Sequence, residues 1–246
     1  MAPAAQSLAR AWSSTLVGAM ARATVVLSIL WGSPGPSCAA SAGPGSAPPL
    51  LEPPSTRAGY VALLLVNETP FPGERHWVGE QDTRAAMHAI LCVLDSRLRH
   101  IPPGYQQSHI AAVRTTDVID IITAGGEKGQ CDGFYRDAAG RPTAVPRVHE
   151  RVAYLVGIAG KGAPGRFARL LEYAQGLATA YVESGMAGAD RYAGLERIGA
   201  IQVTGRAYSW MTDRDFYAPG GNFVRIPDGD QGSLGGNRFF TLRRDP

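Results

Sequence analysis

The sequence predicts a mainly α, α+β domain over residues 58–246, and three observations carry that expectation. Apolar residues recur at helical spacing in successive segments after residue 58. Glycine and proline signals cut those segments at helix-sized intervals. Residues 186–246 then lose the helical period and turn glycine-rich and aromatic, which predicts an irregular C-terminal part. A chain of 246 residues, 45% hydrophobic and 18% charged, suits one such domain with an appendage.

The appendage comes first. Arg10 and Arg22 are the only charges before Glu52, and the short apolar run Ala23–Trp31 precedes Ala40-Ser41-Ala42, an A-x-A cleavage pattern. Residues 1–42 therefore read as a secretory signal peptide, and the chain as exported to the periplasm or beyond the cell. The apolar run falls short of the roughly 20 residues that span a bilayer, so a retained N-terminal membrane anchor is the second reading. Residues 43–57, rich in Pro, Gly and Ser, read as a disordered linker. Without Arg10 and Arg22 there remain 22 basic against 21 acidic residues, which offers no electrostatic case for nucleic acid. Cys92 and Cys131 are the cysteines left after cleavage. They permit one disulfide, while the apolar surroundings of Cys92 suit a buried free thiol.

Along the domain, residues 58–68 form an apolar run with little β-branching and read as a buried helix. Asp82 or Thr83 is expected to cap the next helix, whose core face carries Met87, Ile90, Leu91, Leu94 and Leu98. Pro102-Pro103-Gly104 stops it. Residues 109–123 read as a helix ending before Gly125-Gly126, and a loop follows to about Pro146, with a turn at Asp137–Gly140. Helices are expected at 147–159 and 165–184. Between Tyr208 and Phe240 lie seven of the twenty aromatic residues, which concentrates ring surface there.

Glu68 is the leading chemical candidate. It ends the run Val61–Val66 and precedes Thr69-Pro70-Phe71-Pro72, where a turn residue is the ordinary choice. Apolar walls disfavour the charged form of a carboxyl and raise its pKa, the property of an acid that cleaves a glycosidic bond. Glu74 and Gln130 are candidates to hold a sugar or to orient Glu68, and Tyr135, Ser209 and Asn237 are further candidates for the cleft. Glu80 and Asp82 read as negative charge at a helix N-terminus. The five histidines show no H-E-x-x-H and no C-x-x-C partner, so no metal and no cofactor is expected. Cys131 has only His149 nearby in the sequence as a possible base for a Cys–His hydrolase.

The order of short motifs resembles the spore-cortex-lytic enzyme type of bacterial cell-wall hydrolases. Glu68 matches that family's first Glu, Gly73-Glu74 its Gly-Glu pair, and Ala85–Arg97 its helix ending in Asn-Arg. Gly129-Gln130-Cys131 stands for Gly-Gln-Phe, Gly199-Ala200 for a later pair, and Leu234–Phe240 for the closing motif. Ser96, Cys131 and Asn237 replace the family's Asn, Phe and His. The resemblance implies a lysozyme-like helical domain acting on peptidoglycan glycan strands. It implies cleavage between N-acetylmuramic acid and N-acetylglucosamine by a lytic transglycosylase, with Glu68 as the single acid/base. A hydrolytic muramidase, with Glu74 or Asp82 assisting water, and a non-catalytic peptidoglycan-binding envelope protein are the alternatives.

Overall fold

Arg57–Asn67 forms helix α1, which Thr56 caps by accepting the Gly59 N–H at 2.9 Å, and every residue from Ala58 to Val66 is buried. A helix apolar on all sides belongs inside a protein. It packs against α2 (Glu80–Arg99), α4 (Val118–Thr123), α5 (Pro146–Ala159) and α6 (Arg166–Ser184), with the short α3 (Gln107–Ala111) set against α2. This computed structural model describes residues 50–161, 165–186, 188–212 and 221–244. The expected signal peptide lies outside them.

The described residues mix helix and sheet, as an α+β chain should. No helix among them is long and apolar enough to cross a membrane. The end of the expected linker is part of the folded unit. Leu50 and Leu51 pack against the core, and the Glu52 N–H donates to Gln175 Oε1 on α6 at 2.8 Å. Apolar side chains at the end of a Pro-rich stretch outweigh its composition here.

Several local expectations change. Gly79, not Asp82 or Thr83, precedes the first residue of α2. Asp82 is drawn off to accept the Gly235 N–H at 2.7 Å, and Thr83 donates to the Pro70 carbonyl at 2.9 Å. The single helix expected over 109–123 is two. Ala112 turns left-handed after α3, and the Gln107 amide bonds both the N–H and the C=O of Thr115. Asp117 then caps α4 through the Ile119 N–H. The loop expected up to Pro146 contains a hairpin, β1 (Phe134–Arg136) with β2 (Pro142–Ala144), closed by the anticipated turn at Asp137–Gly140.

The described residues of the C-terminal part hold more order than expected. After the small hairpin of β3 (Arg197–Ile198) and β4 (Ile201–Gln202) it folds into an antiparallel sheet. Strand β8 (Asn237–Leu242) is central, with β5 (Ser209–Met211) on one side. On its other side lie β6 (Phe223–Arg225) and β7 (Ser233–Leu234). Strands of two to six residues leave too few alternations for a period-2 signal to show in the sequence. Gly235-Gly236 joins β7 to β8, with φ of 53° and 71°. Two successive positive φ angles are what a two-residue I′ hairpin demands.

Cys92 and Cys131 are free, buried thiols, so the permitted disulfide does not form. Cys92 on α2 faces His88 at 3.6 Å, and burial raises its pKa to about 11. Cys131 sits in the main core, where burial raises its pKa further, while His149 is exposed. A nucleophilic thiolate needs an electropositive, accessible setting. The Cys131–His149 pair is thereby set aside.

The tight turn yields a stability prediction. A Cβ on Gly235 would stand 2.9 Å from Ala86 Cβ at a positive φ, whereas a Cβ on Gly157 inside α5 meets nothing within 4 Å. Gly235→Ala is expected to lower stability by about 1–3 kcal/mol. Gly157→Ala is expected to raise it by about 0.5–1 kcal/mol, both read from urea midpoints at unchanged slope.

Candidate active site

Pro70 decides where α1 stops. It lacks the N–H that the next helical hydrogen bond requires, and it pushes Thr69 out of the helical region. The carbonyls left open at the helix end are met by side chains from elsewhere. Thr69 Oγ1 donates to Leu65 O at 2.7 Å. Arg151 on α5 donates to Val66 O at 2.5 Å and to Thr69 O at 2.9 Å. Asn237 on β8 donates from Nδ2 to Glu68 O at 2.8 Å.

Glu68 is thus fixed at the helix end, on the wall of a cleft of about 560 Å³. That volume lies in the range of small-molecule sites. The same cleft is lined by Asn67, Arg97, His109, Gln130, Asp132, Arg147, Ser209, Trp210 and Phe223, among others. The Glu68 carboxyl accepts from Trp210 Nε1 at 3.0 Å and from Asn67 Nδ2 at 3.1 Å. Part of its surface stays open to the cleft, and protein encloses the rest.

Burial raises the Glu68 pKa above the ordinary glutamate value, and this outweighs the Trp210 and Asn67 hydrogen bonds, which favour the charged form. Asp132 raises it further, and Arg151 lowers it. The negative end of α1 would add to the rise, but the Arg151 guanidinium stands on those carbonyls and counters it.

Of the five other candidates, the structure brings Gln130 and Ser209 to the cleft. Gln130 follows Gly129, where a Cβ would stand 2.1 Å from Ala124 O, so the close turn that presents Gln130 depends on glycine. Glu74 does not reach the cleft. Its carboxylate accepts the Phe71 N–H at 2.7 Å and is gripped by Arg151 through Nε at 3.0 Å and Nη2 at 2.5 Å. It orients the arginine that caps α1, a structural task in place of sugar binding. Tyr135 lies on β1 outside the cleft, where its carbonyl accepts from Tyr60 Oη at 3.4 Å. Asn237 is fully buried, and it holds the Glu68 backbone without facing the open space. Glu80 pairs with Arg84 and Arg169 on the outside of α2.

Trp210 and Arg97 were not among the sequence candidates. Trp210 lay within the aromatic concentration, and that was its only signal. Its ring also carries the Arg97 guanidinium, 5.5 Å from the ring centre. Phe223 from the same region lines the cleft, whereas Tyr208, Phe239 and Phe240 are buried. Phe216 and Tyr217 lie outside the described residues. Asp132 and Arg147 form an ion pair across the cleft mouth, both well exposed. Among the described residues no three His, Cys, Asp or Glu side chains gather as a metal site.

The raised Glu68 pKa sets a sign for stability. The unfolded chain loses this proton at lower pH than the folded one, so ionisation weakens folding as pH rises through and above the ordinary glutamate range. Glu68→Gln removes that penalty. The variant is expected to melt higher than the parent at neutral pH, with the gap shrinking toward zero as the pH falls below the unfolded-state value. Thermal melts across pH check this, and a constant gap would contradict it.

Compared with known proteins, the chain matches no family model, no curated protein and no solved structure.

Proposed function

We propose that this protein cleaves peptidoglycan glycan strands between N-acetylmuramic acid and N-acetylglucosamine as a lytic transglycosylase, in a lysozyme-like domain exported by residues 1–42. The observation that carries the proposal is one carboxyl, Glu68, kept toward its protonated form by burial while facing an open cleft. Glu68 gives its proton to the glycosidic oxygen as the bond to the muramyl C1 breaks. Its carboxylate then takes the proton of the muramyl 6-hydroxyl, whose oxygen closes onto C1 to form the 1,6-anhydro ring. No water is consumed, and the glutamate ends protonated as it began.

Three departures from the cell-wall-hydrolase pattern are compatible with this chemistry. Ser96, Cys131 and Asn237 are all buried, and none lines the cleft. Ser96 donates to Cys92 O within α2 at 2.7 Å, and Asn237 steadies Glu68 from behind. The replacements therefore alter packing around the cleft and take no reacting group from it, which weighs against a merely binding role.

A second reading keeps Glu68 as the acid and lets water attack. Neither carboxylate first expected to assist is available, because Glu74 is held by Arg151 and Asp82 by the Gly235 N–H. Asp132, which lines the cleft, is the one observation favouring this reading.

Digestion of isolated sacculi separates the readings. The transglycosylase releases 1,6-anhydromuropeptides, each lighter by one water than the reducing-end product of a muramidase, as mass analysis resolves. Glu68→Gln is expected to lower release at least about 100-fold; unchanged release would end the proposal. Trp210→Phe removes a hydrogen bond that favours ionised Glu68. The alkaline limb of the pH–rate profile, where the acid loses its proton, is expected to move to higher pH.

A further inference from the structure

Arg97 is a buried cation without an anion. The residue is 4% exposed in the last turns of α2, yet it lines the same cleft as Glu68. Its hydrogen bond runs from Nε to Tyr208 O at 2.6 Å, and Nη1 is enclosed with no acceptor. One face rests on the Trp210 ring. Among the described residues no carboxylate comes within ion-pair distance of it. Burial lowers its pKa to about 10, which leaves it charged at neutral pH.

An enclosed guanidinium with an empty donor is costly, and folded proteins normally pair it. The neighbouring carboxylates are committed elsewhere. Asp95, two residues earlier on α2, holds Arg99 and His100. Asp132 holds Arg147. With Glu68 held toward its protonated form and Asp132 paired with Arg147, Arg97 is the cleft's buried charge without a counter-ion. Its planar fork suits a carboxylate better than any neutral sugar hydroxyl.

We propose that Arg97 is the carboxylate-recognition residue of this cleft and selects glycans that carry an acidic muramyl unit over neutral polymers of N-acetylglucosamine. The inference rests on the glycan reading above and adds a substrate feature to it. Two carboxylates of such a strand have the required chemistry: the lactyl group, free where the peptide has been removed, and the acidic groups of an attached stem peptide.

Calorimetric titration of the Glu68→Gln protein, which holds substrate without turning it over, tests the proposal. The ligands are a muramyl-containing tetrasaccharide with free lactyl groups, its lactyl methyl ester, a peptide-bearing tetrasaccharide, its peptide ester, and chitotetraose. The acid is expected to bind about tenfold or more tightly than its ester. A preference for the free lactyl acid assigns the site to the lactyl group. A preference seen only in the peptide-bearing pair assigns it to the stem. Adding Arg97→Lys keeps a charge but removes the fork, and it is expected to erase most of the preference. Should that variant fail to fold, the acid–ester comparison on the Arg97 protein decides alone. Equal binding of acid and ester would overturn the role of Arg97 and leave the glycan reading standing. No binding of any of the five ligands would overturn both.

Discussion

The end of α1 is the constraint on which the site depends. Pro70 forces the helix to stop at Asn67, one residue after its apolar run, and the carbonyls it leaves would be unpaired inside the protein. Thr69 answers them locally, and two elements distant in sequence supply the rest, Arg151 from α5 and Asn237 from β8. Each bond fixes a position as well as a donor. Arg151 is itself set by Glu74, and Asn237 is delivered by the Gly235-Gly236 turn that Asp82 pins to α2. Helix end, α5 and sheet are thereby locked around one residue, Glu68, whose side chain is free to face the cleft.

The cleft holds two groups that burial treats in opposite ways. Glu68 can escape the cost of a buried charge by keeping its proton, and its raised pKa records that route. Arg97 has no such route, because even a lowered pKa of about 10 leaves it charged at neutral pH. Trp210 lies between them, giving its N–H to the carboxyl and its ring face to the guanidinium. A single indole thus favours the ionised carboxyl and steadies the cation. The indole is itself a member of the main core, so packing holds it in place beside both groups.

What the sequence revealed follows the range of the interactions involved. The core face of α2, α5 and α6 rest on local apolar pattern, α1 on an unbroken apolar run with little β-branching, and each is a helix where it was expected. Burial of Glu68 followed from its position at the end of such a run. The tasks of Glu74 and Asn237 did not, since each is defined by a partner 77 or 169 residues away. Asp82 misled for the same reason: it looks like a helix cap, but a backbone N–H 153 residues later competes for it and wins. The C-terminal sheet was hidden by strands of two to six residues, whose pairing with β8 is a tertiary fact with hardly any local pattern.

The same distinction bears on how far motif order can be read as function. Leu234-Gly235-Gly236-Asn237 matched a closing motif, and a sequence view makes Asn237 a cleft residue. In the fold the glycines form the turn and the asparagine supports a backbone carbonyl, so the motif acts on Glu68 from behind. Asn237 gives its Nδ2 to the Glu68 carbonyl, with Oδ1 left buried and unpaired as the cost. A motif of this kind preserves the posture of the catalytic candidate. The residues that line the cleft beside Glu68, Gln130, Ser209, Trp210 and Arg97 among them, come from three separate parts of the chain.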